Sequence, residues 1–342
     1  MPLQRWYHGA IVRTVFSTLG DQMELSLAAL SRRHLVGCGV ASLAFARAAF
    51  GQETSPSAFQ PLPSQIKVTS NHLTINVMIN EKGPFHFVVD TGADRSVIAE
   101  DLAVALHLPM GKSIIVQGII RAVAAQSVPV AELRFGPVVR DNLQMPVLPR
   151  ALLQADGYLG LDAIGANRVM FDFKRQTLQI APPLPATFLD KRPSNETRIE
   201  APGTDGHLRA VACRVDGVPT IAFIDSGAEV SAANEPLRTE LMKISQAYVG
   251  NRDVELTGIT GGTSKGRVIR VETILLGNLE FSGCEIAVAD LDVFKIWDLA
   301  ERPALLIGLN FLRQFSTVSI DYTRKEFHLR LASSPWVNRR RA

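Results

Sequence analysis

The sequence predicts a mainly β protein made of two homologous lobes related by a pseudo-twofold axis. Three observations carry that reading. Short Val/Ile/Leu/Phe runs punctuated by Gly, Pro, Asn and Asp dominate the chain, which is strand rather than helix periodicity. A block of features in the first half returns in the same order in the second. Between the two copies lies a stretch rich in proline and polar residues, residues 182–205.

The repeat is anchored on Phe87-Val88-Val89-Asp90-Thr91-Gly92-Ala93-Asp94, which recurs as Phe223-Ile224-Asp225-Ser226-Gly227-Ala228-Glu229. Each copy follows a strand-like run and a turn: Leu73 to Asn80 with Glu81-Lys82-Gly83, and Leu208 to Val215 with Asp216-Gly217. Downstream, Tyr158-Leu159-Gly160-Leu161-Asp162 matches Leu306-Ile307-Gly308-Leu309-Asn310. Each half then closes on a hairpin pattern, Met170–Phe173 with Thr177–Ile180 and Val318–Tyr322 with Glu326–Leu331. Helices are expected to be short: Ala99–Leu108, Glu235–Lys243, and a turn or two after Gly160 and Gly308. The resulting division is a leader over 1–51, a linker over 52–66, lobe 1 over 67–181, an inter-lobe linker over 182–205, lobe 2 over 206–332 and a basic tail over 333–342. The inter-lobe linker is expected to be flexible coil, and the Arg339–Arg341 run a solvated tail.

Composition narrows the function. The formal charge is +3, but residues 1–51 hold five Arg against two acidic residues, so the remainder carries 31 basic and 31 acidic side chains. A balanced body gives no reason to expect a nucleic-acid partner. There is no Cys-x-x-Cys pair and no His-Glu-x-x-His, so no metal and no cofactor are expected. Cys213 and Cys284 fall in apolar runs and read as small hydrophobes. Gly262-Thr263-Ser264-Lys265-Gly266 fits Gly-x-Ser-x-Gly, but the strand-like Arg267–Val271 follows where a nucleophile elbow needs a helix.

The paired aspartates suit metal-free hydrolysis of a peptide bond. Two carboxyl groups held close together cannot both ionise, so they share a proton. One can then act as general base on a water while the other donates to the scissile carbonyl. Apolar residues before Asp90 and Asp225 end a buried strand at each carboxylate, where a low dielectric strengthens proton sharing. Gly92 and Gly227 let the backbone turn sharply, and Thr91 and Ser226 offer hydroxyls able to bond across the lobes.

Asp90-Thr91-Gly92-Ala93-Asp94 resembles the active-site motif of retropepsin-like aspartic proteases, and Asp225-Ser226-Gly227-Ala228-Glu229 resembles a second copy. The resemblance covers nearly all of residues 67–332. It implies an aspartic endopeptidase with an intramolecular Asp90/Asp225 dyad, acting on peptide or protein substrates in a cleft between two lobes of one monomeric chain. It further implies hairpin flaps over the cleft, with Gly118 and Ile119 at one tip and Gly258 and Ile259 at the other. Arg121 at the first tip departs from the family's glycine-rich flap. Asp94 and Glu229 read as loop anchors or solvent-facing residues, and Asp162, Asp172 and Asp321 as turn and strand-end residues. A catalytically silent peptide-binding protein of the same fold is the alternative, as is a pairing of lobes between two chains.

Residues 31–51 combine Arg32–Arg33, a modest apolar stretch and Ala46-Arg47-Ala48, the composition of a twin-arginine export signal, with Met23 an alternative start. The apolar stretch is shorter than the roughly 20 residues a membrane span needs. A periplasmic mature protein without membrane insertion is therefore expected. Replacing Arg32 and Arg33 with lysine should leave uncleaved precursor in the cytoplasm on fractionation. N-terminal sequencing of exported protein should begin after Ala48 or a residue or two later; a start upstream of residue 31 would refute the assignment.

Overall fold

A computed structural model describes residues 6–7, 13–15, 66–69, 72–183, 196–203, 208–250, 252–331 and 337–339. The Arg32–Arg33 pair, the Ala46-Arg47-Ala48 site and residues 52–65 of the expected linker lie outside the described residues.

Two rings of strands repeat one another. In lobe 1 the strand Ala122–Phe135 pairs with His72–Ile79, which leads through Lys82–Val89, Gly157–Leu159, Val97–Ala99 and Val138–Leu148 back to Ala122–Phe135. In lobe 2 the same circuit runs from Thr263–Leu276 through Arg209–Val215, Val218–Ile224, Ala304–Ile307, Ala232–Ala233 and Leu279–Ala289 back to Thr263–Leu276. Closure removes most free edges, and alternate side chains of each ring point inward. Ile75, Val77, Phe87, Val128, Val130 and Leu133 fill lobe 1, and Ile269, Val271, Ile274, Leu276, Phe281 and Ile286 fill lobe 2. Each ring also carries a hairpin arm: Ser113–Gln117 against Ala122–Phe135, and Arg252–Thr257 against Thr263–Leu276. The Gly-x-Ser-x-Gly pattern at 262–266 enters the second of these strands, and no helix follows. Cys213 and Cys284 are buried free thiols.

A five-stranded antiparallel sheet joins the lobes, in the order Thr177–Ala181, Arg168–Asp172, Phe315–Asp321, Glu326–Leu331, Glu196–Glu200. The two hairpins expected at the ends of the halves thus meet edge to edge, with Phe171 opposite Val318 and Asp172 opposite Thr317. Helices are short, as the pattern predicted. Glu100–Ala105 lies inside the expected Ala99–Leu108, and Glu235–Ile244 is one residue longer than expected, with Asn234 accepting the Leu237 N–H as its cap. Leu161–Ile164 and Leu309–Leu312 follow Gly160 and Gly308. Arg150–Leu153 and Asp292–Ile296 are further turns of helix that the sequence pattern does not announce. Among the described residues no helix is long and apolar enough to cross a membrane.

Two expectations need correction. The inter-lobe segment 182–205 is not coil throughout: Glu196–Glu200 is a strand completing the joining sheet, with Ile199 opposite Phe327 and 3% exposed. Alternation places Thr197 and Ile199 on the buried side, and the free edge of Glu326–Leu331 supplies the hydrogen-bonding partner. Within the basic tail, Val337–Arg339 pairs with Leu279–Phe281 instead of running free in solvent. Within the segment expected to be a leader, Trp6–Tyr7 and Arg13–Val15 pair with Val116–Gln117 and Glu255–Thr257, the outer strands of the two hairpin arms. If the linker strand belongs to the fold, Ile199→Ala should lower stability by about 2–5 kcal/mol in chemical denaturation. A value near zero would return this segment to the role of a tether.

Candidate active site

Each aspartate stands where a buried strand runs out. Phe87, Val88 and Val89 are buried ahead of Asp90, and Phe223 and Ile224 ahead of Asp225. Parallel neighbours hold the chain up to that point: the Asp90 N–H donates to Leu159 O at 2.9 Å, and the Asp225 N–H to Ile307 O at 3.0 Å. The backbone then turns. Gly92 N–H donates to Asp90 Oδ1 at 2.9 Å and Gly227 N–H to Asp225 Oδ1 at 2.8 Å, orienting each carboxyl from its own loop.

Both glycines serve a second purpose. A Cβ on Gly92 would sit 2.8 Å from Asp225 Oδ2, and one on Gly227 would sit 2.5 Å from Asp90 Oδ2. Each loop therefore backs onto the other lobe's carboxyl, an approach no larger residue allows. Thr91 and Ser226 exchange bonds across the junction. Thr91 Oγ1 donates to Ile224 O at 3.1 Å and accepts the Ser226 N–H at 3.0 Å. Ser226 Oγ donates to Val89 O at 2.7 Å and accepts the Thr91 N–H at 3.2 Å. The two hydroxyl residues expected to bridge the lobes do so reciprocally.

Asp90 and Asp225 are both 0% exposed. Burial is the main cause that pushes the Asp90 carboxyl well above its ordinary value of 3.8, and the negative charge of Asp225 pushes in the same direction. The N–H groups of Gly92 and Ala93 oppose both and do not prevail. The pair is thus set to retain a proton where an isolated carboxyl has lost it.

A clamp of two side chains behind each loop completes the support, and of the four only Asp162 and Asn310 stood out in the sequence. Asp162 Oδ1 accepts from Ser96 N and Oγ at 2.8 and 2.7 Å, and Ser96 Oγ accepts the Gly160 N–H at 3.1 Å. In lobe 2, Asn310 Oδ1 accepts from Ser231 N and Oγ at 2.9 and 2.8 Å, and Ser231 Oγ accepts the Gly308 N–H at 3.0 Å. Asp162 and Asn310 are thus loop fasteners. Ser96 and Ser231 each stand six positions beyond the aspartate, a spacing the repeat contains. Tyr322 is a further residue the motifs do not flag. Its hydroxyl is buried within a partly buried side chain, and it is pushed strongly upward, first by burial and then by the charges of Asp90 and Asp225.

The hairpin tips meet. Thr260 Oγ1 donates to Arg121 O at 2.8 Å and Arg121 Nε donates to Thr260 O at 3.2 Å. Ile119 is 1% exposed and joins a buried cluster of lobe 2 with Phe223, Ala228, Leu291 and Trp297, while its carbonyl accepts the Val293 N–H at 3.2 Å. Ile259 is buried as well. Arg121, a departure from a glycine-rich tip, thus supplies both a carbonyl and a guanidinium to the contact between the arms. Beside it lies a cavity of about 390 Å³ lined by Arg121, Val123, Ala125, Leu148 and Leu152. Among the described residues no group of three or more His, Cys, Asp or Glu side chains could hold a metal ion.

The chain matches the family model described as aspartyl protease twice, over residues 75–163 and 211–311, together more than half of its 342 residues. The crystal structure of a retropepsin-like aspartic protease from Rickettsia conorii is 20% identical, with 40% of this chain and 91% of that one covered and a TM-score of 0.28. No curated protein matches the chain. Two copies of one motif, each in its own ring of strands and each matching the same model, have a single reading: the chain belongs to the aspartyl protease family, with the family's domain present twice.

Proposed function

We propose that this chain is an aspartic endopeptidase in which Asp90 and Asp225 form one catalytic dyad. The observation that carries the proposal is the convergence of two buried carboxyls, each backed by the other lobe's glycine and held by a reciprocal Thr91/Ser226 exchange. In this reading the dyad holds one proton between its carboxyls. The ionised group takes a proton from a water attacking the scissile carbonyl, and the protonated group donates to that carbonyl's oxygen. Collapse of the tetrahedral species returns a proton to the leaving nitrogen and leaves the dyad singly protonated again. No metal or cofactor enters this cycle. The cavity beside Arg121, walled by Val123, Ala125, Leu148 and Leu152, favours peptides with apolar side chains near the cut. One chain carrying both aspartates supports a monomeric enzyme, and residues 31–51 support export as part of the same reading.

Asp90→Asn and Asp225→Asn should each lower kcat/KM by roughly 10²- to 10⁴-fold on a cleaved peptide. The double variant should be no worse than the singles, because the pair acts as a unit. Near-normal kcat/KM in either single variant would end the dyad mechanism. Stability gives an independent check. The folded-state pKa of Asp90 lies above its unfolded value, so the folded chain binds that proton more tightly. Its contribution is complete below about 3.8 and is lost as pH rises through the raised folded value. Asp90→Asn should therefore raise Tm at neutral pH relative to the unchanged chain, and a lower Tm would argue that the buried charge is not a cost.

A further inference from the structure

His72 opens the strand His72–Ile79 of lobe 1, yet its ring contacts lobe 2. The residue is 1% exposed, and Nε2 lies 3.2 Å from the carbonyl oxygen of Gly227. A carbonyl can only accept, so Nε2 carries the hydrogen in this contact. The other ring nitrogen, Nδ1, lies 3.8 Å from Glu229 Oε1, beyond a hydrogen bond but within ion-pair range. The ring of Tyr158 meets the imidazole edge-on, with centroids 6.3 Å apart. Carbonyl, carboxylate and aromatic edge therefore fix the imidazole on three sides.

Gly227 is the residue where a small displacement matters most. Its N–H donates to Asp225 Oδ1 at 2.8 Å, and its Cα backs onto Asp90 so closely that a Cβ would lie 2.5 Å from Oδ2. A group that holds the Gly227 carbonyl therefore governs the placing of both carboxyls. The histidine also belongs to the repeat. His72-Leu73 stands 18 residues ahead of Asp90, and His207-Leu208 stands 18 ahead of Asp225, although His207 lies outside the described residues.

We propose that His72 is a positioning residue of lobe 1 that fixes the aspartate loop of lobe 2 through the Gly227 carbonyl, with Glu229 orienting the ring. It touches neither water nor substrate in this role. Its contribution is to geometry in the transition state, so its loss acts on kcat and leaves KM in place. Glutamine can present an amide N–H where Nε2 stands, whereas phenylalanine keeps the ring's shape and packing but has no donor.

This inference rests on the aspartic endopeptidase reading, and the test separates the two. Steady-state kinetics of the full chain, His72→Gln and His72→Phe would be measured on one fluorogenic peptide, with a transition-state-type aspartic protease inhibitor as control. If the unchanged chain shows no inhibitor-sensitive cleavage, the endopeptidase reading fails. Given that cleavage, His72→Phe should lose kcat by about tenfold or more, the scale of one lost positioning bond, with KM within twofold. His72→Gln should recover most of the loss. Unchanged kcat in His72→Phe, or equal loss in Gln and Phe, would overturn the role of the donor. Should the Phe variant fail to fold, Glu229→Gln carries the test: kcat falls with KM unchanged, and an unaltered kcat overturns the proposal.

Discussion

Two carboxyl groups, Asp90 and Asp225, lie buried at the junction of the lobes, and the surrounding structure answers the cost of keeping them there. Burial and like charge both penalise ionisation, so the pair must hold a proton or be held by donors. Backbone N–H groups of Gly92 and Gly227 supply part of what water would supply, one for each carboxyl. Thr91 and Ser226 fasten the two loops so that neither aspartate can relax away from the other. The glycines are required by contact: each loop passes so close to the opposite carboxyl that any side chain would collide with it.

The rest of the fold maintains that approach. Parallel strands Gly157–Leu159 and Ala304–Ile307 hold the strands Lys82–Val89 and Val218–Ile224 that end at each aspartate, and the Ser96–Asp162 and Ser231–Asn310 clamps tie the outgoing loops to the helical turns behind them. The joining sheet sets how the two rings meet, and the strand Glu196–Glu200 extends it from within the inter-lobe connection. The duplication is not fully symmetric. The first clamp ends in a carboxylate that burial pushes upward against its Ser96 bonds, while the second ends in a neutral amide. At the hairpin tips, Arg121 and Ile119 of lobe 1 reach into lobe 2, so the two arms have different parts in holding the contact.

Much of this was legible in the residues because it is local. Asp90, Asp225, their Thr/Ser and Gly neighbours, and the short helices after Gly160 and Gly308 follow from strings whose chemistry and order repeat. The Glu196–Glu200 strand was hidden because five alternating residues among prolines and charges carry little signal. It forms only because the edge of Glu326–Leu331 is there to receive it. The partners of Ser96, Ser231 and His72 were hidden for a different reason. Their spacing from the aspartates is fixed in the sequence, but a bond across 64 to 155 positions depends on how the rings close. Ile119 was read as a tip residue, and its burial in the other lobe's cluster is a tertiary fact that no local pattern encodes.

The central claim is that one chain makes one complete active site. Titrating the purified chain with a tight-binding transition-state inhibitor, while following specific activity from micromolar down to low nanomolar enzyme, tests that claim directly. The account predicts one inhibitor bound per chain and a specific activity that does not change on dilution, because the linked lobes cannot separate. An activity that falls on dilution with a dimer's mass in solution would contradict it, since both aspartates of a site would then come from different chains.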